Sequence, residues 1–401
     1  MSVENITELQ TDLLDCIVQF LTPSSYCSLF YTSTQFQSLV INKLKISSCE
    51  AVIYDAFKLD NVELYKYLCL IGFGNVIPWC SLCREAAGTG AFNILKYLRT
   101  FDTFWDESTF ESAAKIGHFE ILKWLKENKC PWGIWTCARA AEGGHLETLK
   151  WLKENGCKWN SSTPSQAAKY GHVHILEYAH QNGCYWDEWA PSQAALNGQL
   201  EALKWLHDNG CPWNGQTFSL GAEGGHLEVL KYFHENNCPW DEYTCSGAAR
   251  GGHLTALKYL REQGCPWNRY TCLQAANNGH LEILKYAHEN GCRWDEWTCS
   301  NAAKRGNLEM LKYAHENGCP WDESTCLNAA QGGYLEVLKY AQEHGCSWGK
   351  KVCTYAAQGG HLKVLKYAYE NGCPMKKSKC LNLAKAHSRS NIVEWVNRLI
   401  N

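Results

Sequence analysis

Charge of one sign is what this chain lacks most plainly: 38 Lys and Arg against 41 Asp and Glu leave a formal net charge of −3 over 401 residues. No global field draws nucleic acid or an acidic membrane surface, which weighs against both as partners. Nowhere does an uninterrupted apolar stretch approach the ~20 residues that a membrane span needs. The opening "MSVENITELQTDLLD" has acids where a signal or transit peptide would have Lys or Arg. A Gly-rich phosphate loop, a GxSxG elbow and an HExxH helix are missing too, so neither an enzyme signature nor a cofactor is expected. These absences predict a cytoplasmic chain without chemistry of its own, with nuclear residence left open.

Cysteine, by contrast, is abundant at 23 residues. A disulfide scaffold belongs to short secreted chains, and here the number is odd and an export signal is wanting. The thiols are therefore expected to be reduced and to have another role.

The chain is too long for one conventional core and escapes that limit by repetition. Relatives of "GGHLEVLKY" (residues 224–232) recur along it in register. The residue that opens the phrase after Gly is His118, His145, His172, Gln199, His226, His253, His280, Asn307, Tyr334 and His361, at a constant interval of 27. Ala91 extends the series backward, and one step further out at each end the interval becomes 30, reaching Asn61 and Asn391. Departures at both ends are what the capping repeats of a solenoid require.

One unit reads as two helices. In "HLEILKYAHENGC" (residues 280–292), Leu281, Ile283, Leu284 and Ala287 share one side of a helical wheel while Glu282 and Lys285 share the other. Gly291 supplies the left-handed residue that ends it. In "TCSNAAKRG" (residues 298–306), Thr298 is expected to be the N-cap, and Ala302 and Ala303 allow close packing. Pro164 and Pro191, one residue after the equivalent of that Thr, are tolerated only near a helix start. Such a pair cannot bury its apolar face alone, so each copy is the wall for the next.

"TPSQAAKYGHVHILEYAHQNGC", from Thr163, resembles the ankyrin repeat, with "GCPWD" standing where ankyrins have Gly-Ala-Asp-Val-Asn. The resemblance covers roughly residues 60 to 400, and short repeats of this type are similar to those abundant in giant DNA viruses and some protists. It implies an all-α, ankyrin-like helical repeat solenoid. An ankyrin unit is about 33 residues, so about six are missing where ankyrins carry a β-hairpin finger, and short loops are expected instead.

Three ladders tempt a chemical reading. The cysteines form two series, one after the "NG" stop (Cys130 to Cys373) and one after the Thr (Cys137 to Cys380). Equivalent positions in stacked units lie ~8 to 10 Å apart, beyond the ~7 Å disulfide limit. The spacing within a unit does not fit a zinc knuckle either, so buried small apolar residues are expected and no metal. The His ladder reads as local hydrogen-bonders or caps. The Trp ladder (Trp132 to Trp348 at the same period) replaces the core Val of ankyrins, so burial is expected over base or sugar stacking. The lysines Lys150, Lys204, Lys231, Lys258 and Lys285 mostly follow a Glu by three, a neutralised solvated face.

Variable positions lie along the second-described helix: Arg139, Glu142, Gln166, Lys169, Tyr170, Asn197, Arg250, Gln274, Asn277, Asn301, Lys304, Arg305 and Tyr355. In an ankyrin-like stack this helix lines the concave surface. A regular scaffold with an irregular inner face is the layout of a protein-binding solenoid, and drift at exposed positions is the competing reading.

Residues 1–45 do not share the period and read as three short helices, with 46–60 as a linker and 61–401 as the repeat array. Leu9, Asp12, Leu13, Leu14, Ile17, Phe20, Leu21, Pro23, Leu29 and Phe36 resemble, in their order, an F-box, with Gln10 standing where that family has Pro. The resemblance implies binding of a Skp1-like adaptor through Leu9, Leu13, Leu14, Ile17 and Pro23. The chain would then be a substrate receptor of a Skp1–cullin–F-box ubiquitin ligase whose repeats bind a target protein. The second reading is a pure scaffold whose N-terminal helices only cap the stack.

Overall fold

The structure is a computed structural model that describes residues 49–70, 81–349 and 351–400. The F-box-like segment, with Leu9, Leu13, Leu14, Ile17 and Pro23, lies outside the described residues. Those described form 26 helices and no strand. The helices alternate between a short alanine-rich kind (Ala helices) and a leucine-rich kind (Leu helices), thirteen of each. The segment read as a linker contains Cys49–Lys58, which packs against Val62–Leu70 as the first helix of a pair.

Two compact units result, residues 1–167 with 177–185, and residues 168–176 with 186–401. In the first, the Ala helices Leu82–Thr89, Glu107–Ile116 and Trp135–Glu142 pack one on the next. In the second, the Ala-helix series runs from Trp189–Leu196 through Gly215–Gly224, Glu242–Gly251, Arg269–Asn278, Glu296–Lys304, Glu323–Gly332 and Val352–Gly359 to Lys377–Ala386. Each of these carries its own Leu helix behind it, as Leu281–Glu289 lies behind Arg269–Asn278. Small side chains set this spacing, with Ala275, Ala276, Ala302 and Ala303 wholly buried between neighbours. Ile283, Leu284 and Ala287 are buried from the Leu side, each large aliphatic contributing about 1.5–3 kcal/mol. On the opposite side Lys285 bonds Glu282 at 2.9 Å, and Lys150, Lys204 and Lys231 pair the same way, as expected.

The helix start differs from the expected one. Asp295, with extended backbone, is the N-cap and accepts from the Trp297 N–H at 3.2 Å, so the helix begins at Glu296 and Thr298 is its third residue. In Gly215–Gly224 and Glu242–Gly251 the Thr hydroxyl completes a capping box, accepting from the N-cap N–H at 3.2 Å. In those two helices Thr is thus the buried partner of the cap. Pro164 and Pro191 are likewise third residues, where the N–H has no intrahelical acceptor to lose.

The His ladder does not cap. His226, His253, His280 and His361 sit at the N-cap position without a side-chain bond to the helix, whereas Asn307 accepts one from the Met310 N–H and Asn61, in the terminal repeat, one from the Leu64 N–H. The rings instead lie over the glycines of the preceding repeat: a Cβ on Gly225 would come within 2.2 Å of the His253 ring, and one on Gly333 within 2.4 Å of His361.

Burial lowers the basicity of His253, whose neighbours His226 and His280 add to the effect, and of His315, which also faces His344. With folded pKa values below the ordinary ~6.5, the unfolded chain binds protons more readily. Stability present above that pH is therefore lost as pH falls. We expect the melting temperature to drop between pH 7 and pH 5, and the double variant His253→Gln/His315→Gln, which copies the natural Gln199 and Gln342 at the two aligned positions, to flatten that slope in thermal scans.

Candidate protein-binding site

Each Ala helix presents one face that no Leu helix covers, and helical geometry dictates what stands on it. Residues at i, i+4 and i+7 share a side. On Glu296–Lys304 they are Trp297, Asn301 and Lys304, with Arg305 at i+8; on Arg269–Asn278 they are Tyr270, Gln274 and Asn277; on Glu242–Gly251 they are Tyr243, Gly247 and Arg250. The structure therefore brings the predicted Asn277, Asn301, Lys304, Arg305 and Arg250 onto one face of the second unit. It adds a row the sequence reading missed. Trp189, Tyr243, Tyr270 and Trp297 are exposed by 48, 49, 36 and 54%, and Trp135 holds the equivalent place in the first unit. The signal was available as an aromatic two residues after the cap, recurring at the common period.

The predicted residues differ in availability. Lys304 and Arg305 are exposed, and Arg305 donates through Nε to the Asn277 carbonyl. Asn301 donates to the Trp297 carbonyl at 2.8 Å, which fixes the amide beside the indole. Arg250 pairs with Glu223. Tyr170 is 41% exposed with Lys169 over its ring at 5.2 Å, while Gln166 and Tyr355 are half-buried. Glu142 is the correction: it is only 8% exposed, bonded to Lys115 at 2.8 Å and Arg139 at 2.7 Å. Burial would raise its pKa, but those two cations outweigh burial and hold it below the usual carboxylate range. Both are neighbours it already satisfies, so it does not present a free carboxylate to a partner. Arg139 also reaches Glu111 at 3.7 Å.

The cysteine ladder is more than a set of small apolar residues. Thiols of the series after "NG" donate to the carbonyl of the residue 24 positions earlier, the helix N-cap of the preceding repeat: Cys292 to Asn268 at 3.1 Å, Cys319 to Asp295 at 3.3 Å, Cys346 to Asp322 at 3.1 Å. The thiol adds a second bond to a carbonyl that already accepts from the Thr N–H of its own helix, Thr271 for Asn268 at 2.9 Å, Thr298 for Asp295 at 3.0 Å and Thr325 for Asp322 at 3.1 Å. Burial pushes the Cys211 and Cys238 thiols up to about 12, the state of inert cysteine. Of the 19 cysteines whose side chains are described only Cys69 is exposed. The expected outcome with a thiol-specific dye is that the 18 buried ones stay silent in the folded chain and react once it is denatured. Among the described residues no three His, Cys, Asp or Glu side chains cluster as metal ligands would.

The Trp ladder is half-buried, not buried. Along the ladder, rings are covered on one face by a residue six positions earlier: Arg99 over Trp105 at 4.0 Å, Lys153 over Trp159 at 4.2 Å, Arg261 over Trp267 at 4.2 Å, and His288 on Trp294 and His315 on Trp321 at 3.7 Å. An edge contact to a tyrosine of the following repeat, such as Trp294 with Tyr313 at 6.3 Å, completes the packing. These are cation–π and stacking contacts between and within repeats, and they occupy the ring face a base or sugar would need.

Residues 272–315 match the family model of ankyrin repeats in many copies. That segment spans the end of one Ala helix, its Leu helix, and most of the next pair, the unit on which the stack is built. Among solved structures, the crystal structure of the human ASB11 ankyrin repeat domain is similar at 16% identity, with a TM-score of 0.33, over 39% of this chain and 84% of that one. No curated protein matches the chain. The fold is all-α and ankyrin-like, with repeats shortened at the finger: four residues separate the Gly291 turn from Glu296, and none is in a strand.

Proposed function

We propose that the repeat array is a protein-binding platform and that residues 1–45 couple it to a Skp1-like adaptor, making the chain a substrate receptor of a Skp1–cullin–F-box ubiquitin ligase. One observation carries the binding part: the polar positions that vary from repeat to repeat lie on the uncovered face of the Ala helices, while the Ala, Leu, Thr and Cys positions beneath stay small or apolar and buried. Polar variation on an outer face over an interior kept small and apolar supports recognition of a protein target. The ankyrin-repeat match supports the same reading. The order of Leu9, Leu13, Leu14, Ile17 and Pro23 supports the ligase link, which would place the work in the cytoplasm. Among the described residues no helix is long and apolar enough to cross a membrane. On this reading the chain selects and positions a target, and the chemistry belongs to the enzymes its adaptor recruits.

The test is co-purification of the full chain with eukaryotic Skp1, beside Leu13→Asp and Ile17→Asp. Stoichiometric binding by the parent chain, lost in both variants while the helical circular dichroism persists, is the expected result. Binding retained in both variants, or absent from a folded parent chain, would remove the ligase link. A pure scaffold capped by its N-terminal segment would then be indicated by a lower melting temperature on deleting residues 1–45.

A further inference from the structure

The exposed row Tyr243, Tyr270 and Trp297 occupies three successive repeats, and the rings of Tyr243 and Tyr270 lean together at 5.6 Å between centroids. Contiguous exposed aromatics on a folded chain mark an interaction surface, and aromatic and Arg side chains are the residues that dominate such surfaces. The other end of the same helix faces carries positive charge. Lys304 and Arg305 are exposed and have no carboxylate partner among the described residues, whereas Arg250 is already engaged by Glu223 and Asp295 by capping and by Arg269 at 3.3 Å. Glu242 and Glu296 stand one residue before an aromatic, about 100° round the helix from it.

We infer that this surface, from Tyr243 to Arg305, binds an extended acidic peptide segment of a partner protein, its apolar side chains on the aromatic row and its carboxylates on Lys304 and Arg305. The inference rests on the protein-binding reading above and names the partner's chemistry. Geometry sets the length. Neighbouring Ala helices lie ~8–10 Å apart, and an extended chain in the polyproline II form advances ~3.1 Å per residue with three residues per turn. One apolar side chain every third residue therefore meets Tyr243, Tyr270 and Trp297 in turn, over a core of about seven residues. Gly247 keeps the middle of this face low: a Cβ there would lie 2.2 Å from the Ser219 carbonyl, so nothing larger than glycine stands between Tyr243 and Arg250.

The experiment uses the full chain as bait for a displayed library of random peptides about a dozen residues long. The most enriched peptide is then synthesised with fluorescein, and its affinity is measured by anisotropy. The expected selection is rich in Asp and Glu, with apolar residues three apart. Its affinity should fall about tenfold or more in Trp297→Ser, as for an interface anchor, and comparably in Lys304→Glu/Arg305→Glu. It should weaken with added salt and be unchanged in Lys231→Glu on the Leu-helix side. Each variant is checked for unchanged helical circular dichroism. Enriched peptides without acidic bias, or ones bound equally by Trp297→Ser and the charge-reversed double variant, would overturn this surface while leaving the protein-binding reading intact. A concentration-dependent dimer abolished by Trp297→Ser would overturn it in favour of self-association. A folded chain that selects no peptide would count against both this surface and peptide recognition by the array.

Discussion

Gly251→Ala is expected to lower the stability of the second unit by about 3 kcal/mol, the upper end of what overpacking costs. A Cβ there would lie 2.0 Å from the Glu223 carbonyl oxygen and 2.9 Å from its carbon, both backbone atoms of the neighbouring Ala helix. Neither can move without shifting a whole repeat, and close-packed interiors transmit such a shift. The sign is informative because Gly251 ends an ordinary helix, where alanine would otherwise stabilise by about 1 kcal/mol. Gly264→Ala is the control. Its φ of +86° is left-handed, but no atom lies within 4 Å of the added methyl. It should cost only the conformational strain of about 1–2 kcal/mol. Urea denaturation followed by circular dichroism ranks the two, and a Gly251→Ala chain as stable as the parent would show that the backbones do not approach this closely.

Phe233→Ala should cost about 3–5 kcal/mol, and the loss should be partly recovered by adding Gly221→Ala. Phe233 is wholly buried, 5.0 Å from Phe218 and 5.4 Å from Trp213 between ring centroids. A Cβ on Gly221 would meet its ring at 2.8 Å. The equivalents in a later repeat are Ala275 for Gly221 and Ala287 for Phe233. This repeat has traded the two for a large ring against a missing methyl. Gly221→Ala alone should therefore destabilise by about 1–3 kcal/mol, and the double variant should be more stable than the sum of the singles by about 1–3 kcal/mol. Strict additivity in the denaturation midpoints would contradict the packing described.

The period, the helix pairs and the buried Ala and Leu positions were legible because they repeat with one spacing, and each copy confirms the last. What was not legible depends on contacts across repeats or on a two-residue shift. Starting the Ala helix at Thr298 instead of Glu296 put Trp297, and with it Tyr243 and Tyr270, in a loop, so the aromatic row went unseen. Glu142 looked like any variable polar residue because the Lys115 that pairs with it belongs to the preceding repeat. The tryptophans were assigned to the core from the ankyrin alignment, yet the cation or His six residues earlier holds them half-open at the edge. The cysteines read as apolar plugs because their acceptor carbonyls also belong to the preceding repeat.

The central claim, that each copy is the wall for the next, is tested most directly by removing one copy in register. Deleting residues 280–306 takes out one full period and joins Gly279 to Asn307, restoring the Gly-then-polar start of a Leu helix. The account predicts a cooperative fold with unchanged ellipticity per residue and a modestly lower denaturation midpoint. Deleting residues 280–292 instead, which removes the Leu helix Leu281–Glu289 alone and joins Gly279 to Arg293, should break the stack and lose helical signal. Equal tolerance of both deletions, or collapse of both, would contradict it.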